Sequence, residues 1–252
     1  MIVHRLIQDV ARRRPADPAA PRTPLATVLE LLYADLPSEV WRTPESWPRW
    51  RALLPSVLAA TGHYPDTGGE GPAAWLLRLA GTYLRSQGRF AEALPLFERA
   101  LRIDEAALGS DHSDVAADLN DVGRALSDLG RAGEALPLQE RALRIREAAL
   151  GPDHPDVATG LNYVGRALSA VGRFAEALLL QERALRIDEA ALGPDHPSVA
   201  TDLNEVGQVL SALGRSAEAL PLRERALRIR EAALGPDHPN TRRSREFVSE
   251  TE

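Results

Sequence analysis

The chain has 252 residues, 44% of them hydrophobic, and a formal net charge of −6, which fits one or two domains and argues against nucleic acid as the main partner. Cysteine is absent, which excludes disulfides, thiolate zinc sites and cysteine nucleophiles. All 30 residues counted as lysine or arginine are arginine, so no phosphate-loop lysine exists, and no apolar run is long enough to span a bilayer.

The N-terminus, "MIVHRLIQDVARRR", puts most of its arginines after the apolar residues. That is the reverse of a signal peptide, and a cytoplasmic chain is expected. The proline-rich run at 15–24 reads as a linker. "TPLATVLELLYADL" opens a helix with Thr23 as cap and Pro24 at the first helical position, and "TPESWPRWRALLPSVLAATG" does the same with Thr43 and Pro44. Trp47 and Trp50 are three apart and share a helix face. Residues 1–68 are therefore expected to form a helical cap, a hydrophobic plug on the end of the helical array that begins near residue 69.

From about residue 72 the chain repeats every 42 residues. Gly88, Gly130, Gly172 and Gly214 form one glycine series; Gly109, Gly151, Gly193 and Gly235 form another. Each suits a helix end, so every unit holds two helices. In the first, Val157, Leu161, Val164 and Leu168 make one apolar face, repeated at 115–126 and 199–210. The second carries two stripes, Ala177, Ala184 and Ala191 beside Leu178, Leu185 and Leu192. An arc that wide must be covered from more than one side, as in a stacked array. The units fall at 72–109, 110–151, 152–193 and 194–235. Residues 236–252 read as a half-repeat that caps or frays, with Arg245 where leucine is expected and Ser249 where glycine is. Asp104, Arg146, Asp188 and Arg230 alternate in sign at one repeat position and are expected on a solvated ridge.

"GPDHP" invites a catalytic or metal reading of Asp153 and His154. A metal needs three or four ligands around one point, and the equivalent histidine is one repeat away, on the order of 10 Å. No G-x-S-x-G elbow appears either. The pair reads as a turn and helix cap, with Pro155 opening the next helix and Asp156 near its positive end. No metal, cofactor or enzymatic activity is expected.

"EALPLQERALRIREAALGPDHPDVATGLNYVGRALSAVGR" resembles the tetratricopeptide repeat in its longer, kinesin-light-chain-type form. The small residues fit: Gly123, Gly165 and Gly207 in first helices, Ala135, Ala177 and Ala219 in second ones. The first unit departs, with Arg78 where later units have asparagine. The resemblance implies an all-α fold, a tetratricopeptide-repeat α-solenoid of antiparallel helix pairs over 69–235, with the N-terminal helical cap before it. It also implies a protein-binding scaffold that holds an extended segment in a groove lined by first helices. The groove positions read Asn120, Asn162 and Asn204; Arg124, Arg166 and Gln208; Ser127, Ser169 and Ser211; with Tyr163 beside them. The asparagines come just after buried leucines and are expected to point off the core. Amides suit a peptide backbone and arginines suit an acidic segment. Residues 1–62 resemble the junction that joins an NB-ARC (STAND-type) bacterial signalling ATPase to its repeats. The ATPase's own phosphate loop is absent, so the alternative function is the sensor half of a split ATPase, with that ATPase as partner.

Overall fold

The computed structural model describes residues 24–36, 44–66 and 72–249. Expectations resting on residues 1–23 and on Trp41, including part of the NB-ARC-like segment, lie outside the described residues. Every described regular element is helical, and the chain divides into two compact units, Met1–Leu129 and Gly130–Glu252. Among the described residues no helix is long and apolar enough to cross a membrane.

The first unit contains α1 (Pro24–Asp35), a 3-10 turn (Pro44–Ser46), α2 (Trp47–Gly62), α3 (Ala73–Ser86), α4 (Phe90–Leu108) and α5 (Ser113–Asp128). Its N-terminal helices dock on the α3–α4 hairpin through Trp50, which is fully buried and stacks on Tyr83 with ring centroids 5.8 Å apart. Trp47, the other half of the expected aromatic face, is only half-buried. Polar contacts lock the same seam. Arg99 of α4 donates to Asp66 at 2.7 Å and to the Tyr64 carbonyl at 2.5 Å, just beyond the end of α2. Arg49 pairs with Asp35, tying α2 to α1.

The second unit contains α6 (Ala132–Leu150), α7 (Pro155–Ala170), α8 (Phe174–Leu192), α9 (Pro197–Ala212), α10 (Ser216–Leu234) and α11 (Pro239–Ser249). The expected stripe of α7 is its core: Val157, Leu161, Val164 and Leu168 are all buried, as are Val199, Leu203, Val206 and Leu210 of α9. Apolar side chains at that spacing leave water only if the helix forms, so burial and helicity arise together. Gly165 explains how α7 and α8 approach so closely. A Cβ there would lie 2.8 Å from Gln181 Cγ, too near to be accommodated without a shift.

The second helices depart from expectation in one turn. Ala177, Ala184 and Leu178 of α8 are buried, but Ala191 and Leu192 are exposed. Helix α8 has 19 residues against 16 for α7, so it overreaches its neighbour by about one turn. The overhang ends at Gly193, whose φ of 91° is a conformation that side chains rarely adopt. Beneath it, Arg225 of α10 donates to Glu189 at 2.5 Å and to the Pro194 carbonyl at 2.8 Å. Arg183 makes the same two bonds one repeat earlier, to Glu147 at 2.6 Å and the Pro152 carbonyl at 2.9 Å. Arg99 does in the first unit what these do in the second, so the segment after α2 is held as a repeat's loop is held.

Helix α11 packs on α10 with Thr241 and Ser244 buried, while Arg223 donates to the Phe247 carbonyl at 2.8 Å and Arg245 pairs with Glu231 at 2.7 Å. Arg245 and Ser249, the two departures from the repeat, are both exposed.

The Asp-His pairs are caps. His112, His154, His196 and His238 each accept, through Nδ1, the backbone N–H two residues on, at 3.1–3.2 Å. Among the described residues no three His, Asp or Glu side chains gather where they could hold a metal ion.

Two substitutions test these roles. Trp50→Ala is expected to lower first-unit stability by about 3–5 kcal/mol, read by thermal or denaturant unfolding. His154→Ala should lose about 0.5–2 kcal/mol, whereas His154→Asn, a better cap, should keep or raise the melting temperature.

Candidate functional site

The groove residues expected from sequence lie on three first helices: α5 in the first unit, α7 and α9 in the second. They do not share one environment. Asn120 and Asn204 are buried, at 3% and 7% exposure, so neither presents its amide to an open groove as expected. Asn162 is half-buried, and its amide is engaged: Nδ2 donates to Asp202 on α9 at 2.5 Å. Asn204 in turn donates to Ser244 on α11 at 3.2 Å. In the second unit these are joints between one first helix and the next. The residue after a buried leucine does leave the core of its own hairpin. For Asn162 and Asn204 it enters the contact with the following first helix instead of reaching solvent.

The positions one turn further on are open. The Arg124 and Arg166 side chains are 35% and 51% exposed, and Gln208 is exposed. Arg166 lies over the Tyr163 ring, 5.0 Å from its centroid, a cation–π arrangement that restrains the guanidinium. Its nearest acid is Glu205 on α9 at 3.9 Å. Burial pushes the Glu205 carboxyl above the usual carboxylate range, and Arg166 opposes the shift. Arg124 stands 3.6 Å from Asp121. The serines Ser127 and Ser169 turn back on their own helices, donating to the Gly123 and Gly165 carbonyls at 2.9 and 3.0 Å. Their hydroxyl oxygens can still accept. Ser211 is half-buried.

Three of the expected residues line one depression in the second unit. Arg166, Ser169 and Gln208 surround a cavity of about 300 Å³ between α7, α8 and α9. Phe174, Val209, Ala170 and Ala212 give it apolar walls, Glu205 an acid, and Gln181 of α8 contributes as well. Gln181 is 1% exposed and its Oε1 finds no donor among the described residues. Sequence reading misses Gln181 because it belongs to a second helix, yet Gly165 opposite it is the visible sign that something large approaches there.

The alternating-sign position also needs correction. Asp188 is 6% exposed, not on a solvated ridge, and it lies within hydrogen-bonding reach of Asp202. In the first unit Arg78 reaches Asp118 at 3.3 Å and Asp104 at 3.5 Å. Where the second helix carries arginine, the next first helix carries a small residue: Gly160 beside Arg146, and Ser244 accepting from Arg230 at 2.6 Å. The signal is present in the sequence. Fourteen residues after each member, the chain alternates in step: Asp118, Gly160, Asp202, Ser244.

Helix pairs of this length, packed at small-residue contacts and repeated every 42 residues, match the tetratricopeptide repeat over residues 72–148, 119–190, 180–232 and 203–251. The chain belongs to the tetratricopeptide repeat family. Similar solved structures include a point variant of a Podosopora anserina putative kinesin light chain with nearly identical TPR-like repeats. It is 26% identical, with 69% of this chain and 82% of that one covered and a TM-score of 0.61. BtubC (BKLC) from P. vanneervenii is 20% identical, with 94% and 91% covered and a TM-score of 0.69. YrrB, a TPR protein with an unusual peptide-binding site, is 19% identical, with 95% and 97% covered and a TM-score of 0.56. The latter two share the fold alone. Among curated proteins no match is found.

The buried and open positions separate by mutation. Asn204→Ala should lower second-unit stability by about 1–3 kcal/mol, because it strips a buried hydrogen-bonding group. Gln208→Ala, exposed on the same helix, should stay within about 0.5 kcal/mol of wild type in the same unfolding measurement.

Proposed function

We propose that this protein is a non-catalytic scaffold whose repeats hold an extended segment of a protein partner against their first helices. The observation that carries the reading is the cavity lined by Arg166, Ser169 and Gln208. Expected groove residues from two successive repeats converge on it. Its chemistry suits a peptide: hydrogen-bonding groups of both kinds, apolar walls, and a restrained guanidinium that can fork onto a carboxylate. YrrB, a protein of the same fold with a peptide-binding site, lends support to such a use.

Arg124 and Arg166 support an acidic segment, tempered by the neighbouring Asp121 and Glu205. The role assigned to the asparagines changes with their burial. Asn162 acts on the groove by holding α7 against α9 rather than by touching the ligand. The alternative, the sensor half of a split STAND-type ATPase, rests on the resemblance of residues 1–62 and would draw an ATPase lacking repeats into a stable complex.

Arg166→Ala combined with Gln208→Ala removes two open contacts and leaves the Asn162 and Asn204 joints intact. Each lost hydrogen bond costs about 0.5–1.5 kcal/mol, more where a charge is involved. Affinity for an acidic peptide ligand, measured by calorimetry, should therefore fall more than roughly tenfold with helical circular dichroism unchanged. Unchanged affinity in the double variant rejects the groove as the binding site.

A further inference from the structure

Two carboxyl groups meet inside the second unit. Asp188 on α8 is 6% exposed and Asp202 on α9 is 1% exposed, and they lie within hydrogen-bonding reach of each other. Asp202 Oδ1 accepts from Asn162 Nδ2 at 2.5 Å. Asp202 Oδ2 and Asp188 Oδ1 find no donor among the described residues. A carboxylate brings no hydrogen of its own, so a hydrogen bond between two carboxyls needs a proton on one of them.

The first unit holds a natural comparison. There the same repeat positions, Asp104 and Asp118, have Arg78 within 3.5 Å of both, and burial still pushes Asp118 up to about 8 although Arg78 opposes it. In the second unit the residue at the place of Arg78 is Asn162, which carries no charge. The charged and titratable groups around the joint are few. Helix α7 brings Arg166, which is turned to Glu205 at 3.9 Å. Helix α9 brings Glu205, whose charge disfavours an ionised Asp202, and His196 at its N-terminal cap acts on Asp188. Arg230 of α10 and Arg243 of α11 act on Glu205. Arg230 itself donates to Ser244 at 2.6 Å.

We propose that Asp188 and Asp202 hold one shared proton at neutral pH, and that this proton, with Asn162, closes the joint between the first helices α7 and α9. The step is a simple ionisation. The proton leaves to solvent, both carboxyls become anions, and their repulsion acts on the contact that sets the spacing of Arg166 and Gln208. The inference does not depend on what occupies the groove.

Burial also sets the direction of the pH dependence. It pushes Asp202 up to about 8, against the lowering effect of Asn162, while in the unfolded chain the group returns to the ordinary aspartate range near 3.8. Between those values the folded protein binds more protons than the unfolded one. This pair therefore contributes a stability that falls as pH rises toward about 8 and then levels.

Asp202→Asn tests this directly. The amide keeps an oxygen for Asn162 and supplies its own N–H to Asp188, so it replaces the shared proton permanently. Melting temperatures of wild type and variant are compared from about pH 5 to about pH 8.5. The variant is expected to gain on wild type steadily with pH and to melt several degrees higher at the alkaline end. A difference that stays constant across the range overturns the proposal. A second measurement reads the proton itself: carbon NMR of aspartate-labelled protein should show, in wild type, a carboxyl resonance titrating above about pH 7 that is missing from Asp202→Asn and distinct from that of Asp118, which burial raises as well. If no such resonance is lost in the variant, the shared proton does not exist.

Discussion

Each hairpin of this chain is apolar on more of its surface than one partner helix can cover, so no repeat is stable until the next lies against it. That dependence fixes the fold within each unit. Val157, Leu161, Val164 and Leu168 bury one face of α7 completely, and α8, flanked on both sides, buries Ala177 and Ala184. The same dependence forces polar side chains to the seam. Asn162, Asn204, Asp188 and Asp202 sit where successive repeats meet, and each must find its partner in the neighbouring repeat or lose the solvation water gave it. Apolar faces supply the driving force of stacking; the polar seam makes it sensitive to register.

Exposure divides along that boundary. First-helix residues one turn beyond the seam remain open, and there the second unit gathers Arg166, Ser169 and Gln208 around a single cavity. The exposed arginine is steadied by Tyr163 and balanced by Glu205. A surface of this kind is pre-organised, so a flexible segment would lose its own entropy on binding without the protein losing much more. The histidines that suggest chemistry on first inspection are committed to helix caps through Nδ1. The last turn of the second helices α6, α8 and α10 is the other departure from a plain repeat, with Leu150, Leu192 and Leu234 all exposed beyond the reach of the shorter first helix.

The fold is legible in the sequence because period and residue type recur together: glycines at helix ends, apolar spacings of four and three, and small residues at close crossings. The site is legible in half. Arg166, Ser169 and Gln208 can be placed because a helix face can be drawn from spacing alone. The burial of Asn120 and Asn204 cannot, because a helical wheel shows only whether a residue leaves its own hairpin. Contacts such as Asn162 to Asp202 span 40 residues, and Arg78 to Asp104 spans 26. Such offsets emerge only once repeats are stacked. Gln181 escapes notice for the same reason, since its approach to Gly165 is a tertiary contact between two helices read separately.

Ligand contact on the first-helix face of the second unit is the claim on which the functional reading stands. Site-specific photo-crosslinking measures it most directly. A photoreactive side chain placed at Gln208, which lines the cavity, should capture a bound acidic peptide, and one placed at Arg186 on α8, exposed but outside that cavity, should not. Capture from Arg186 with none from Gln208 would contradict the account and move binding to the second-helix side of the repeats.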